Sequence, residues 1–354
     1  MRAIALLVSV ALFSGSTVSA LPPTRDQLLS LFGAYFEVLR VQVGIPGMAA
    51  ALVGDTDIIW AQGFGLQDIG RRISTRADTP FQVDGLTQLM TATLLLRCSE
   101  EGRIGLDTPI GQYVVSSEPG ATVRQILSHS SGVPGSATFS YNVARLELLR
   151  PLIPVCFNQS LRQAFKYLLL GRMGMADSAP GLDATSPALP PDQLSIPAEV
   201  DLYRSILARL AIPYAVSPQG GTSASHYSVT TLSPGTGLIS TVRDFAKFDL
   251  ALRQGILLRG DTLIAAWTPP IGGSNGSLPH GMGWFVQSYK GELVVWQFGS
   301  DTNASSSLIL TLPARGITLI LLANSDGLAK PATLVAGDVT VSPFARVFLG
   351  LVLR

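Results

Sequence analysis

The chain has 354 residues and a net charge of +1; 47% of its residues are hydrophobic and 14% are charged. This length is enough for one large domain or two ordinary ones with a sizeable core. A balanced charge without a basic patch argues against nucleic acid as a partner. Because soluble domains usually contain roughly 25% charged residues, the apolar excess favours a large core, ahead of an exposed apolar groove or proximity to a membrane.

The first twenty residues have the pattern of a secretory signal peptide. Arg2 gives a positive start, residues 3–13 are apolar, and Val18-Ser19-Ala20 supplies small residues for cleavage. The apolar run is shorter than the roughly 20 residues that a membrane-spanning helix needs, and no later run reaches that length. We therefore expect residues 1–20 to be cleaved, leaving a secreted or periplasmic protein with no membrane span; an uncleaved anchor is the alternative.

The next segments alternate helix and strand patterns. Apolar residues at helical spacing predict an amphipathic helix over residues 26–41. Residues 48–53 and 58–62 are β-prone and flank Gly54-Asp55-Thr56-Asp57, which predicts a hairpin. Residues 87–98 are apolar all round, as in a buried helix.

The middle of the chain mixes helical runs with polar connections. Residues 142–149 and 161–170 have helical patterns. The segments rich in Gly, Pro, Ser or Thr are predicted to be irregular, namely residues 127–134, 176–200 and 215–236. A helix over residues 241–254 follows, with Thr241 as its N-cap and Asp244 placed as in a capping box.

The last third contains β-prone runs separated by short turns, which predicts an antiparallel meander over residues 283–287, 293–298, 306–312 and 317–323. Residues 342–353 form a closing apolar helix. Hairpin and meander can join into one antiparallel sheet flanked by the terminal helices. We therefore predict an α+β fold, with a sheet domain (residues 21–80 and 235–354), a mainly helical domain (81–234) and a groove between them.

The spacing of the cysteines and histidines does not indicate a function. Cys98 and Cys156 either pair in an oxidising compartment or remain buried free thiols, and their spacing does not decide between the two. His129, His226 and His280 are scattered and have no metal-ligand spacing. We therefore predict no metal site and no cofactor.

A series of motifs resembles one family. Residues 81–92 read Phe-Gln-Val-Asp-Gly-Leu-Thr-Gln-Leu-Met-Thr-Ala. In order, the chain then contains Glu100-Glu101-Gly102-Arg103-Ile104-Gly105-Leu106-Asp107, Leu127-Ser128-His129-Ser130-Ser131-Gly132-Val133-Pro134, Gly174-Met175-Ala176-Asp177-Ser178 and Gly237-Leu238-Ile239-Ser240-Thr241. Together they resemble the serine β-lactamase-related and penicillin-binding-protein-like family, near its class C and esterase branch. The resemblance implies a β-lactamase/transpeptidase-like fold.

The resemblance also places the family's reactive pair. Its nucleophile motif is Phe-x-x-Gly-Ser-x-Thr-Lys, in which the Ser attacks a carbonyl and the Lys helps to take its proton. These two positions are Gly85 and Gln88 in this chain. Glycine has no side chain to acylate, and glutamine has no titratable amine to act as a base.

Two further family positions differ as well. Tyr141 matches the tyrosine that shuttles a proton to the leaving group, but Val143 replaces the amide that orients ligand and lysine. Gln297-Phe298-Gly299 replaces the Lys-Thr-Gly or His-x-Gly of the groove strand. The neutral amide at this position is expected to weaken any preference for carboxylate ligands.

Backbone donors of the family site are retained. The resemblance assigns an oxyanion hole to the N–H groups of Gly85 and Ser300, which would hold the carbonyl or carboxylate of a small acyl or peptidoglycan-like ligand. Loss of the serine side chain is expected to widen the pocket floor. The alternative is a collapsed groove kept only as packing.

Rescue by another residue is not expected. His129 is interpreted as a hydrogen-bonding turn residue. Ser130, Ser131 and Thr87 have no base predicted beside them, and a lone hydroxyl is a poor nucleophile.

Three hypotheses follow. The first is a catalytically silent homologue that binds a ligand or partner in the old groove. The second is a weak esterase, β-lactamase or peptidase with a non-standard mechanism, such as a water held by Tyr141 and Gln88. The third is an interaction protein whose own side chains fill the groove.

Overall fold

A computed structural model describes residues 24–132, 135–273, 276–330 and 332–353, so the predicted signal segment lies outside the described residues. The helices are α1 (Arg25–Gln42), α2 (Thr87–Glu100), α3 (Val123–Leu127), α4 (Leu152–Phe157), α5 (Leu161–Gln163), α6 (Pro197–Leu207), α7 (Val242–Arg253), α8 (Gly260–Ala266) and α9 (Pro343–Val352). The strands are β1 (Gly47–Val53), β2 (Ile58–Asp68), β3 (Ile73–Ser74), β4 (Phe81–Gln82), β5 (Ser130–Ser131), β6 (Thr138–Phe139), β7 (Tyr214–Val216), β8 (Thr222–Ala224), β9 (Ile239–Ser240), β10 (Phe285–Tyr289), β11 (Glu292–Asp301), β12 (Ser305–Leu312) and β13 (Ile317–Ala323).

One seven-stranded sheet organises the fold, in the order β10-β11-β12-β13-β1-β2-β3. Every neighbouring pair is antiparallel. The predicted meander supplies β10 to β13, and the predicted hairpin joins it where Met48 pairs with Ala323 and Val53 with Thr318. The structure therefore confirms the α+β prediction and adds the short strand β3.

The terminal helices cover one face of this sheet. The Thr24 hydroxyl caps α1 by accepting a hydrogen bond from the Gln27 N–H, at 3.3 Å. Buried phenylalanines join α1 to α9, with ring centroids 6.2 Å apart for Phe32 and Phe348 and 6.0 Å apart for Phe36 and Phe344. Each such ring stabilises the fold by roughly 1.5–3 kcal/mol through burial.

The other face packs on α2 and α7. A single apolar cluster contains Ala49 and Ala51 of β1, Leu89 of α2 and Phe245 of α7. Helix α2 is buried on nearly all sides, as predicted. It is thereby held against the sheet, which positions the turn at its N-terminus. The boundaries between a sheet domain and a helical domain stay a prediction.

Cys98 of α2 and Cys156 of α4 form a disulfide, with the sulfur atoms 2.02 Å apart. The two alternatives left open by the sequence are thus resolved in favour of pairing.

Local predictions were confirmed in part. Residues 161–170 are helical as predicted, but the helix becomes π-helical from Ala164, and the Gly171 N–H bonds the Lys166 carbonyl five residues back. The segments predicted to be irregular contain the hairpin β7–β8 and the start of α6. Helix α6 begins in a proline-rich stretch because Pro197 suits the first helical turn and Glu199 accepts a hydrogen bond from the Ile196 N–H.

In the part of the chain that the structure describes, no helix combines the length and the apolar character needed to cross a bilayer.

Candidate functional site

The nucleophile position lies in a short turn that leads into α2. Residues Asp84–Leu86 form a 3₁₀ turn, and Asp84 adopts a positive φ of 48°. The turn lies between β4 and α2, and the Val83 N–H bonds the Leu238 carbonyl. Gly85 is therefore fixed at the N-terminal end of a buried helix, and the sequence motif predicts this position for the family's serine.

The structure overturns the expected widening of the pocket floor, because strand β11 packs directly on Gly85. A Cβ atom built at Gly85 would lie 2.5 Å from the carbonyl oxygen of Phe298 and 3.2 Å from the Cα of Gly299. A Cβ built at Gly299 would lie 2.5 Å from the Gly85 nitrogen and 2.6 Å from the Ser307 hydroxyl. These two glycines let the backbones meet, and the space of a serine side chain is filled by the strand.

The remaining site residues form a hydrogen-bonded chain beside this contact. His129 Nε2 lies 2.9 Å from Gln88 Oε1, and Gln88 Nε2 donates to the Tyr141 hydroxyl at 3.0 Å. The Tyr141 hydroxyl donates to Gln297 Oε1 at 3.4 Å, and Gln297 Nε2 lies 3.0 Å from His280 Nε2. The structure thus brings three predicted site residues, Gln88, Tyr141 and Gln297, together with two histidines.

Backbone contacts fix the direction of this chain. The Asn142 N–H donates to His129 Nδ1 at 3.2 Å, so Nε2 holds the proton and donates to Gln88. His280 Nδ1 donates to the Gly281 carbonyl at 2.7 Å, so its Nε2 accepts from Gln297. Each link therefore joins a donor to an acceptor, and none of the links requires an ionised group.

The two histidines are neutral at physiological pH. Burial lowers the pKa of His129 to about 4, with a further lowering by the nearby charge of Arg145. Burial, together with His129, lowers the pKa of His280 well below its usual value. Burial also raises the pKa of the Tyr141 hydroxyl above its usual range. At pH 7 none of the side chains in this hydrogen-bonded chain is charged or ready to exchange a proton.

Other predicted residues lie at the margin or outside. Val143 packs towards Gly235, where a Cβ would lie 2.4 Å from the Val143 Cγ1 atom, and not within the hydrogen-bonded chain. Ser300 is exposed and pairs with Ser306 of β12. Tyr141 is partly exposed, so it is the member of the hydrogen-bonded chain through which a ligand would reach this site.

The three hydroxyls that the sequence analysis considered, those of Ser130, Ser131 and Thr87, contact neutral groups. The Ser130 hydroxyl contacts Ser128 at 2.8 Å, and the Ser131 hydroxyl contacts Thr138 at 3.1 Å. The Thr87 hydroxyl accepts a hydrogen bond from the Leu238 N–H. The ring nitrogens of both histidines are occupied by the amides and backbone groups already named, so these hydroxyls have no base beside them.

Sequence reasoning missed the part that the histidines play. His129 does lie in a turn, at φ 48°, but its ring also reaches Gln88. His280 stacks edge-on against His129 at 4.8 Å and against Phe285 at 4.6 Å. None of the motifs of the sequence includes His280, so no local signal placed it at this site.

This α+β fold, with a turn at the start of a buried helix facing a sheet strand, defines the class of serine β-lactamases and penicillin-binding proteins. The sequence profile of the β-lactamase family matches residues 32–339. The chain belongs to the β-lactamase family.

Relatives match over short segments. The mitochondrial serine β-lactamase-like protein LACTB of Homo sapiens is 25% identical over 103 residues, which cover 27% of this chain and 19% of that protein. Protein flp of Staphylococcus aureus is 24% identical over 101 residues, covering 27% and 20%. The matched segment thus spans about a fifth of the length of these relatives.

Solved structures match over most of the chain. The octameric penicillin-binding protein homologue from Pyrococcus abyssi gives a TM-score of 0.71 at 18% identity, covering 91% of this chain and 77% of that one. D-amino acid amidase from Ochrobactrum anthropi, solved with L-phenylalanine amide, gives 0.66 at 17% identity, covering 91% and 98%. At these identities the likeness shows the fold alone.

Proposed function

We propose that this protein is a catalytically silent member of the β-lactamase family that acts by reversible binding at the old cleft. The observation that carries the proposal is the contact between Gly85 and β11. The nucleophile position has no side chain, and the carbonyl of Phe298 occupies the direction in which one would point. An acyl-enzyme at this position has neither an attacking atom nor room to form.

The surroundings support the same proposal. A general base must hold a proton-accepting group near the operating pH. Gln88 is an amide, and burial keeps the pKa of His129 near 4 with both ring nitrogens engaged. A buried hydrogen-bonded network of this kind stabilises one geometry of the cleft. It is therefore suited to holding a shape rather than to moving protons.

The chemistry of the cleft favours an uncharged ligand. Amides at Gln88 and Gln297 and two neutral imidazoles offer dipoles without net charge. The nearby cation, Arg145, is committed to Glu118 at 2.9 Å and to the Ser130 carbonyl at 2.7 Å. A small acyl or peptidoglycan-like ligand would meet the partly exposed Tyr141 first, and its neutral portion would fit better than a carboxylate.

Binding and turnover can be separated by experiment. The purified chain is titrated with a penicillin or a peptidoglycan fragment. The hydrolysis of short nitrophenyl esters is followed in parallel. We expect saturable, reversible binding that weakens in Tyr141→Phe, and no ester hydrolysis above buffer. Ester turnover that disappears in Tyr141→Phe would instead establish the weak hydrolase, and absence of binding would favour the interaction protein.

We also propose a secreted or periplasmic location. The signal pattern of residues 1–20 and the Cys98–Cys156 disulfide support it, because disulfides persist in oxidising compartments. Expression with the leader in a secreting host should yield mature protein whose mass corresponds to cleavage after Ala20. Retention of the leader on protein recovered from the cytoplasm would contradict this proposal.

A further inference from the structure

A cavity of about 300 Å³, separate from the cleft at Gly85, lies in the helical part of the molecule. It is formed by the π-helical turn of Ala164–Leu170, the loop that follows it, and helix α6. Its walls are apolar, and its mouth carries two large side chains that are 49% exposed at Tyr167 and 42% exposed at Leu202. This volume reaches the lower limit of small-molecule sites.

A charged pair lies in the floor of this cavity. The Lys166 side chain is 2% exposed, and its Nζ contacts Glu199 Oε2 at 2.5 Å. The same carboxylate oxygen accepts the Ile196 N–H at 3.0 Å. Within the described ranges, Glu199 is the one hydrogen-bond acceptor of Lys166, and Glu199 Oε1 receives no hydrogen bond. The ammonium therefore has donors to spare and the carboxylate has an acceptor to spare.

Tyr203 adds a third polar group. Its side chain lines the cavity and is mostly buried, while its hydroxyl oxygen is not enclosed and makes no hydrogen bond within the part of the chain that the structure describes. Burial and the neighbouring charge of Glu199 raise the pKa of Tyr203 above its usual range. This hydroxyl is therefore open to a ligand in the cavity and can donate or accept a hydrogen bond there.

The balance of charge decides the ligand class. Lys166 and Glu199 neutralise each other, so a ligand of net charge would leave one charge buried without compensation. A carboxamide presents a carbonyl oxygen to the ammonium or the phenol and an N–H to the free oxygen of Glu199. The geometry points to a binding site for a small, uncharged molecule that has a carboxamide group on an apolar body.

The segment that carries Lys166 is π-helical, which distinguishes it from the α-helices of the fold. A wide turn closes where the Gly171 N–H bonds the Lys166 carbonyl at 2.8 Å. Such turns occur frequently at functional sites. The residues that line this cavity are not those of the cleft at Gly85. The inference can therefore be tested independently of the proposed function.

The test compares three probes with one skeleton, 3-phenylpropanamide, 3-phenylpropanoate and 3-phenylpropylamine, by ligand-observed NMR on the full chain. An eleven-atom fragment at typical ligand efficiency should bind with a Kd on the order of 1 mM. We expect the amide to bind at least about tenfold more tightly than the acid or the amine, since each of these adds an unpaired charge.

Variants locate the binding. Leu202→Trp fills the mouth and should abolish amide binding, whereas Ile264→Trp, at a 67% exposed position on α8, is the matched control that should retain it. Tyr203→Phe should weaken binding about fivefold, the value of one hydrogen bond. Tyr141→Phe should leave it unchanged. Equal or tighter binding of the acid or the amine, binding that survives Leu202→Trp, or no saturable amide binding at millimolar concentration would overturn the inference.

Discussion

Gly85 and Gly299 are the residues on which the state of the cleft depends. Their backbones approach so closely that a Cβ at either one would lie about 2.5 Å from an atom of the other's segment. No space for a serine side chain remains beside Gly85, because the strand fills it. A change at Gly85 is a change in packing as well as in chemistry.

Gly85→Ser should destabilise the protein by about 1–3 kcal/mol, because the added side chain meets backbone atoms that cannot rotate away. Urea unfolding of the variant against the parent measures this difference. Gly120→Ser is the matched control, since a Cβ there has no atom within 4 Å and should cost little. A Gly85→Ser protein as stable as the Gly120→Ser protein would show that the contact with β11 is loose.

His129 predicts a pH dependence of stability. Its pKa of about 4 in the folded protein lies below the ordinary value of 6.5, so the unfolded chain binds the proton more readily. The stability that the folded protein gains while His129 is neutral is fully present above pH 6.5 and is lost as the pH falls towards 4. By pH 4.5 the free energy of unfolding should have fallen by about 2–3 kcal/mol through this residue alone.

His129→Gln removes that titration while keeping a hydrogen-bonding side chain. Denaturant midpoints of the parent and the variant between pH 7 and 4.5 should therefore converge as the pH falls. His280, whose pKa is also lowered, leaves part of the slope in the variant. Parallel curves with no convergence would mean that His129 is not held neutral by burial.

At the scale of elements, helix α2 holds the site in place. Its N-terminus presents Gly85 and Gln88, its body is buried, and its end is tied to α4 by the Cys98–Cys156 disulfide, which closes 58 residues of chain. A crosslink of this span stabilises mainly by restricting the unfolded chain. The disulfide therefore supports the position of the site from a distance.

Replacing both cysteines by alanine should lower the free energy of unfolding by roughly 2–4 kcal/mol. Chemical denaturation of the double variant and of the parent, under oxidising conditions, gives the difference. Reduction of the parent should move its midpoint towards that of the variant. Equal midpoints would indicate that the disulfide does not form in solution.

Periodicity predicted the elements that have one apolar face. The terminal helices and the strands of the sheet were found this way, since burial on one side leaves a pattern in the sequence. Helix α6 was missed because Pro197 and its polar neighbours resemble a loop, although Pro suits a first helical turn. The hairpin β7–β8 was missed for a similar reason, as its strands have three residues each.

The candidate site was predictable only in part. Gly85, Gln88, Tyr141 and Gln297 follow from motif positions that survive as sequence. His280 belongs to no motif, and its contact with Gln297 arises from tertiary packing that no local pattern records. The sequence also could not predict that strand β11 fills the cleft, because this depends on the distance between two backbones and not on any side chain.

At the scale of the whole molecule, the family's architecture is retained, whereas we propose that its reaction centre has become a packed, uncharged core. The sheet, its flanking helices and the α2 turn are in place. The reactive serine and lysine positions are glycine and glutamine. The fold alone does not imply the reaction, so the decisive property is whether any side chain of the cleft can be acylated.

Intact-protein mass spectrometry after incubation with a penicillin and, separately, with a fluorophosphonate tests this claim most directly. We expect an unchanged mass after prolonged incubation with either reagent, while a serine β-lactamase treated in parallel gains one adduct. A stable, stoichiometric adduct on this protein, mapped by peptide digestion to Tyr141, Ser130 or another side chain of the cleft, would contradict it.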